Sequence, residues 1–441
     1  MNGYGAHVAE RQRRVEAALS STGHGALVLH AGHEVCYFRD DQHVPFRTSA
    51  HFAHWTPLSG PEHLLIVRPG ERPLLLHHAP RDYWYEHAPL GAPAWAEHFD
   101  IREGASRAEL AALVPPLTRA VLVGPDPSLA GPLGLPPAAV NDPGLLARLD
   151  WDRSFKTEYE VGRIEAAARR AGRAHHAARA AFAGGADELR IHQAYLGALE
   201  GTDDELPYPG IVALDEKGAF LHYRARRRGV RGRVLLIDSG ATEAGYACDI
   251  TRTWTTDDAD PRFVALAEGL DRAQRALVAM VAPGVEFAEL HHAAHRAVAD
   301  LLVEAGILLV SVEAAIDRGL TRPFLPHGLG HLLGLQVHDV AGRQGASQGG
   351  EVAPPDGHPH LRTTRTLEPG MVTTIEPGLY FIEMLLAPLR SGPDRDAIDW
   401  GLIDALAPHG GIRIEDDVLV TTDGGRDLTR HTIDAPIRCG R

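Results

Sequence analysis

Two aspartates near the middle of the chain, Asp238 and Asp249, are the first residues that suggest chemistry. The β-branched and apolar runs Val234–Asp238 and Ala247–Trp254 predict two strands, and the glycines between them predict a turn. If the turn is centred just after Glu243, the two aspartates face each other, with Cβ atoms roughly 4.5 to 5.5 Å apart. Like charges repel at that distance, so the pattern predicts a cation between them, unless a register shift or bulge separates two ordinary strand-end aspartates.

Three histidines, His327, His331 and His338, follow in the glycine-rich segment PHGLGHLLGLQVHD. Imidazoles at this density are typical of metal binding or proton transfer, although each one alone could be a hydrogen-bonded structural residue. The spacing does not form HExxH, so the segment is not a zincin helix.

Two glutamates complete the set of candidate ligands. Glu376 ends a buried-looking strand before Pro377, where a carboxylate is costly unless it is paired or metal-bound. In GIRIEDD, strand alternation places Arg413 and Glu415 on one face, which a simple salt bridge would also explain. Four carboxylates and one imidazole form a mostly oxygen donor set that favours Mn²⁺ or a similar ion. Their charge is enough for two divalent cations, which can share and activate a water molecule.

Length and composition limit the classes of protein that fit. The chain has 441 residues, which predicts two domains. Its formal charge of -14 argues against nucleic-acid binding. No run of roughly 18 apolar residues and no signal-peptide core occur, so we expect a cytoplasmic protein that does not enter a membrane. Three cysteines without metal spacing, Cys36, Cys248 and Cys439, are expected to be free thiols.

The N-terminal part, residues 1–150, is predicted to be an α/β domain, because a first helix is followed by alternating strand-like and helix-like segments. The proposed strands are Ala26–His30, His63–Val67, Pro73–His77 and Ala120–Gly124. A stretch dense in proline and glycine, residues 124–144, marks the approach to the domain boundary.

The remainder, residues 151–441, is predicted to be an α+β domain with helices packed on one face of a curved sheet. A capping box at Thr157–Glu160 begins a long helix that ends at Gly184. Further elements are helices at 186–200, 261–282 and 286–306, strands at 211–214 and 220–223, and strands within 371–381 and 410–420. The glycine- and proline-rich segment 342–360 is expected to be a mobile insertion or a loop over a site.

Four motifs resemble, in order and context, those of the pita-bread metallopeptidases, most closely the bacterial X-Pro dipeptidases (prolidases): VLLIDSGA with YACDITRTW, PHGLGHLLGLQVHD, LEPGMVTTIEPGLY and GIRIEDD. Similarity extends to FRDDQHVPF, DYWYEH and SFKTEYE, and so covers nearly the whole chain. The resemblance implies a pita-bread catalytic domain over 151–441. It also implies a smaller α/β domain over 1–150 that serves dimerisation and pocket closure.

The same resemblance implies roles for individual residues. Two divalent ions, preferably Mn²⁺, would be held by Asp238, Asp249, His331, Glu376 and Glu415. The substrate would be surrounded by His222, His327, His338, Tyr208 and Val337, with Arg413 on the proline carboxylate. In a homodimer, Asp41 and Trp84 would approach the other subunit's site. Phe287 stands where relatives have a tyrosine, which leaves the preference for the residue before proline open.

The implied reaction is hydrolysis of X-Pro dipeptides with release of proline. A metal-bridging hydroxide would attack the carbonyl before proline, Glu376 would accept a proton, and His338 or His327 would stabilise the oxyanion. One alternative is aminopeptidase P, which cleaves the same bond in longer peptides, and a side activity on organophosphate triesters is another. A binding module or a metal-free enzyme of this fold should lack ligands, whereas all five are present here.

Overall fold

The computed structural model describes residues 3–87 and 89–439. These residues form two compact units. The first unit extends to Arg153 and also includes Thr157–Glu160 and Gly345–Gly350, and the second unit holds the rest. Each unit combines helices with sheet, as the sequence predicted.

The first unit is built around a five-stranded mixed sheet. Its strands are β1 (Ala26–His30), β2 (Leu64–Val67), β3 (Leu74–His78), β4 (Asp100–Gly104) and β5 (Ala120–Val123), and its helices are α1 (Tyr4–Thr22), α2 (Ala50–Ala53), α3 (Arg107–Leu113) and α4 (Pro143–Arg153). The strand order is β4-β3-β2-β1-β5. Every residue of β1, β2 and β5 is buried. Burial on both faces explains why these strands appear in the sequence as unbroken apolar runs.

Helices of the second unit follow the start and stop signals in the sequence. They are α5 (Glu158–Ala183), α6 (Glu188–Leu199), α7 (Pro261–Met280), α8 (Phe287–Glu304), α9 (Val312–Asp317), α10 (Glu383–Ser391) and α11 (Trp400–Leu406). The capping box before α5 is formed, since the Glu160 carboxylate accepts the Thr157 N–H at 2.8 Å. Within residues 3–87 and 89–439, no helix has both the length and the apolar character needed to cross a bilayer.

The remaining strands are short and form several small sheets. All lie in the second unit except the two in segment 344–351, most of whose residues belong to the first unit. They are β6 (Ile211–Leu214), β7 (Val234–Asp238), β8 (Thr242–Glu243), β9 (Tyr246–Ala247), β10 (Thr251–Thr256), β11 (Gln344–Ala346), β12 (Gly349–Glu351), β13 (Val372–Ile375), β14 (Gly378–Tyr380), β15 (Gly411–Arg413), β16 (Asp416–Val420), β17 (Gly425–Asp427) and β18 (Arg438–Cys439). The largest sheet has the order β18-β10-β7-β6, and another has the order β13-β16-β17. The segment predicted as a long loop, 342–360, contains the β11–β12 hairpin.

One predicted strand is wrong. Residues 220–223 form a turn, in which the Tyr223 N–H donates to the Phe220 carbonyl at 3.2 Å. The Tyr223 hydroxyl donates to the buried carboxylate of Glu188 at 2.9 Å, a tertiary contact that local strand propensity does not reveal. The prediction for Cys248 is confirmed, because it is a free, fully buried thiol.

Candidate metal centre

The register in which the two aspartates face each other is wrong, and the alternative, a register shift, is what the structure shows, here of two residues. Asp238 pairs with Thr251 instead of Asp249. The turn residues are Ala244 and Gly245, since β8 and β9 pair Glu243 with Tyr246. Both turn residues have positive φ, 51° and 85°, as a type I′ hairpin turn requires.

The corrected register keeps the two aspartates on one face of the hairpin. It places Asp249 opposite Gly240, two residues beyond Asp238, so that the aspartates are diagonal neighbours. A Cβ at Gly240 would lie 2.0 Å from the Cys248 carbonyl oxygen, which explains why glycine occupies this position. The two carboxylates are therefore farther apart than those of directly facing residues. They are still close enough to bind the same cation or neighbouring cations.

The structure brings the five predicted ligands together. His331 Nε2 lies 3.5 Å from Asp249 Oδ2 and 3.7 Å from Glu376 Oε1. One donor atom each from Asp249, His331 and Glu415 lie within 4.8 Å of one another. These three residues are at most 5% exposed. Asp238 joins the group through the hairpin, and its charge adds to the effect of burial, which raises the pKa of both glutamates.

Three of the carboxylates occupy breaks between strands. Glu376 lies between β13 and β14, and its N–H donates to the Leu329 carbonyl at 2.8 Å. Glu415 lies between β15 and β16, and its N–H donates to the Thr251 carbonyl at 3.0 Å. Asp249 precedes β10 in the same way. Each break turns the chain from one sheet to the next, which directs the side chain into the centre and leaves the backbone hydrogen-bonded.

The charge balance of the site fits divalent cations. Burial raises the pKa of Asp238 and of Glu415, and it raises the pKa of Glu376 to about 7 against the opposing effect of His331. The buried Asp238 Oδ1 has no hydrogen-bond partner within the described part of the chain. So many buried carboxylates can ionise together only beside positive charge, which divalent ions would supply. Oxygen donors with one imidazole fit hard or borderline ions.

Neighbouring side chains orient the candidate ligands. The Tyr208 hydroxyl donates to Asp249 Oδ1 at 2.5 Å, and the Thr251 hydroxyl donates to Glu415 Oε2 at 2.6 Å. His331 Nδ1 lies 3.1 Å from the Leu332 carbonyl oxygen, so this nitrogen carries the proton and Nε2 is left to bind. Such partners fix the tautomer and the direction of metal ligands.

The Arg413 guanidinium makes contacts that the sequence did not predict. It donates to Asp238 Oδ2 at 2.6 Å and to the Tyr380 hydroxyl at 2.9 Å, and it is 5% exposed. The Tyr380 hydroxyl lies 2.9 Å from His327 Nε2. Sequence reasoning missed Tyr380, although it follows Glu376 by four residues, a multiple of the two-residue period of a strand. The predicted contact of Arg413 with a proline carboxylate stays a prediction.

The three additional histidines lie around the ligands. The rings of His338 and His331 are perpendicular, with centroids 4.4 Å apart. His327 Nδ1 lies 3.8 Å from Glu376 Oε2. Burial, followed by the charge of Arg413, lowers the pKa of His327 to about 3, and the exposed His222 contributes to the same shift.

The remaining predicted substrate residues are dispersed. Val337 is half-buried next to His338. Asp41 and Trp84 are exposed in the first unit, and their approach to a partner subunit stays a prediction. Phe287 is fully buried in the apolar core, so it presents no surface to a pocket.

Comparison with known proteins identifies the family. Residues 162–422 match the family model described as metallopeptidase family M24. The chain belongs to this family. Residues 2–151 match the model described as the Xaa-Pro dipeptidase N-terminal domain. Membership of this family implies that the protein is an enzyme that binds divalent metal ions. The carboxylate and imidazole donors of the site agree with this.

Relatives of this M24 protein match it over nearly the whole length. An Xaa-Pro dipeptidase of Stenotrophomonas maltophilia (strain K279a) is 42% identical over 438 residues, which are 97% of this chain and 96% of that protein. One of Xanthomonas campestris pv. campestris (strain B100) is 42% identical over 441 residues, 98% of each. The predicted resemblance to X-Pro dipeptidases is confirmed.

Solved structures of aminopeptidase P share the fold. Zinc-substituted E. coli aminopeptidase P in complex with product is 27% identical with a TM-score of 0.75, over 97% of this chain and 96% of that one. Proline aminopeptidase P II from Yersinia pestis is 25% identical with a TM-score of 0.73, over 97% of each chain. The predicted pita-bread fold of the M24 domain is confirmed.

Proposed function

We propose that the protein hydrolyses X-Pro dipeptides and releases proline, with two divalent metal ions, preferably Mn²⁺, held by the five ligands. The convergence of three carboxylates, Asp249, Glu376 and Glu415, on His331 carries the proposal. Together with Asp238 they carry four negative charges, which two divalent ions would balance. The names of the relatives and the N-terminal domain support a dipeptide substrate. A homodimer in the cytoplasm, with Asp41 and Trp84 at the partner's site, belongs to the same proposal.

The side chains of the site suit peptide hydrolysis. Divalent ions bound there would lower the pKa of a water molecule and polarise the substrate carbonyl. Glu376 is the group that takes the water proton, because burial brings its pKa to about 7. His338 donates a hydrogen bond to the developing oxyanion. His338 is exposed at one side. The burial of the rest of its ring, followed by the charge of His331, lowers the pKa of His338 to about 4, so the ring is a neutral donor.

We propose that Arg413 positions Asp238 and balances its charge. Replacing Arg413 with Ala leaves the buried Asp238 carboxylate without its guanidinium, so activity should fall roughly 10- to 100-fold, as for other partners of metal ligands. Steady-state rates on Ala-Pro and on Ala-Pro-Ala should fall by the same factor, with a shift in the Mn²⁺ concentration needed for half-activation. Arg390→Ala, which removes an exposed ion pair with Asp404, is the matched control. Selective damage to the dipeptide reaction would instead favour a substrate contact of Arg413.

A dipeptidase must recognise the free carboxylate of the proline that it releases, and a guanidinium suits that task. Because the Arg413 guanidinium already donates to Asp238 and Tyr380, we propose Arg362 as an alternative to Arg413 for this role. It is exposed, it has no ion pair within the described residues, and its positive charge helps to lower the pKa of His338. A carboxylate bound between Arg362 and the ligands would therefore lie beside the proposed oxyanion donor.

The substrate class can be tested with the unmodified enzyme and Arg362→Ala. The enzyme should cleave Ala-Pro well and the Ala-Pro amide or Ala-Pro-Ala poorly. In Arg362→Ala, the ratio of kcat/KM for Ala-Pro to kcat/KM for the amide or the tripeptide should fall roughly 10- to 150-fold. The reason is that a charge-assisted hydrogen bond contributes about 1.5 to 3 kcal/mol. Equal cleavage of dipeptide and tripeptide by the unmodified enzyme would favour aminopeptidase P, which the structural neighbours represent.

A further inference from the structure

Three histidines outside the carboxylate centre form a second cluster in the M24 unit. His291 and His295 are one turn apart on α8, and His358 comes from the segment that follows the β11–β12 hairpin. One ring nitrogen from each lies within 4.8 Å of the other two. Ring centroids are 4.7 Å apart for His291 and His295, and 4.6 Å for each of them with His358. The cluster therefore has the ligand number and spacing of a metal site.

The nitrogens of this cluster are only partly used by the protein. His295 Nδ1 lies 2.9 Å from the Thr321 hydroxyl, and its other nitrogen, Nε2, is buried without a hydrogen-bond partner within the described chain. His291 Nε2 lies 2.9 Å from His358 Nδ1, and His291 Nδ1 is likewise buried and without a described partner. A metal ligand usually carries such an outer hydrogen bond on one ring nitrogen and binds through the other. His295 has this arrangement already.

Burial keeps the two helix histidines neutral. Burial, followed by the neighbouring histidines, lowers the pKa of His291 to about 2 and that of His295 to about 3. The exposed fractions are 1% and 3%. Neutral imidazoles have a free lone pair at physiological pH, so protons do not compete for the site.

A cavity of about 230 Å³ adjoins the cluster and is lined in part by His291, His358, Arg322 and His327. It leaves room for a fourth ligand, as in sites with three protein ligands and one open position. The positive charge of Arg322 favours an anionic fourth ligand over water. Because the donors are all imidazoles, the site suits borderline ions such as Zn²⁺, in contrast to the carboxylate centre.

We propose that His291, His295 and His358 bind a Zn²⁺-class ion that is separate from the carboxylate centre. The two sites share no ligand. The cavity next to the proposed ion is also lined by His327. The ion ties the segment around His358 to α8.

The test is zinc content of the full-length protein after equilibrium dialysis against Zn²⁺. His358→Ala should hold one zinc fewer per chain than the unmodified protein, and because His358 is only half-buried its removal spares the core. His292→Ala, which removes the exposed neighbour of His291, should hold the full number. Equal zinc content in all three proteins, or an equal loss in His292→Ala, overturns the proposal.

A second variant separates this ion from the carboxylate centre. In Glu415→Gln, the carboxylate centre is weakened and the histidine cluster is untouched. Combining Glu415→Gln with His358→Ala should remove one further zinc. If the combination removes none, the ion belongs to the carboxylate centre and the proposal is wrong, whatever the peptidase activity.

Discussion

Treatment with EDTA is expected to abolish hydrolysis of Ala-Pro, and addition of Mn²⁺ is expected to restore it. The reason is electrostatic as well as chemical. Burial raises the pKa of Asp238, Glu376 and Glu415, so ionisation of all the carboxylates together needs more positive charge than the Arg413 guanidinium supplies. Loss of the proposed ions would therefore remove the activation of water and would also leave Glu376, the proposed proton acceptor, less ionised.

Replacement of a candidate ligand should lower the metal content and the activity together. In the proposed two-ion site the ligands balance four positive charges, and Asp249→Asn removes one of their negative charges. It should therefore reduce the bound Mn²⁺ measured by elemental analysis and shift half-activation to higher Mn²⁺. Asp423→Asn, at an exposed carboxylate, is the matched control and should change neither quantity. Full turnover by a metal-free preparation would contradict the whole assignment.

The parts of the fold that the sequence predicts best are those determined by burial. Strands β1, β2 and β5 are buried on both faces, and their apolar runs mark them within one residue. The capping box and the glycines after Ala183 likewise define both ends of α5. In each case the information lies within a few neighbouring residues.

Register of the central hairpin could not be predicted in the same way. It depends on which two residues adopt positive φ, and one of them is Ala244, a residue that seldom does so. With glycines at both 240 and 245, the sequence is compatible with a turn at several positions between them. The close approach of Gly240 to Cys248 selects among them, and that contact appears only when the strands are paired.

Contacts between distant segments were the hardest to predict. Alternation put Arg413 on the side of Glu415, but its partner Asp238 is 175 residues away in the chain. The histidine cluster shows the same limit, because the one-turn spacing of His291 and His295 is visible whereas His358 follows 67 residues after His291. The sequence therefore predicts which residues carry chemistry more readily than which of them meet.

Two histidines of the PHGLGHLLGLQVHD segment should respond differently to replacement by alanine. His331 lies within 3.5 to 3.7 Å of two carboxylates of the centre, whereas His338 contacts His331 ring to ring and has no described hydrogen bond to those carboxylates. His331→Ala should therefore lose bound metal. His338→Ala should keep its metal and lose turnover roughly 10²- to 10³-fold, as expected when one transition-state donor is removed.

Metal content and kinetics together decide whether His338 acts as this donor. For His338→Ala, kcat should fall while KM for Ala-Pro and the Mn²⁺ content stay close to those of the unmodified enzyme, because the donor acts mainly in the transition state. His338→Gln, which retains an N–H donor, should recover part of the lost rate. His24→Ala, at a histidine of the first unit, is the control for general effects of losing an imidazole. A metal-depleted His338→Ala together with a fully loaded His331→Ala would reverse the two assignments, since the ligand would then be His338.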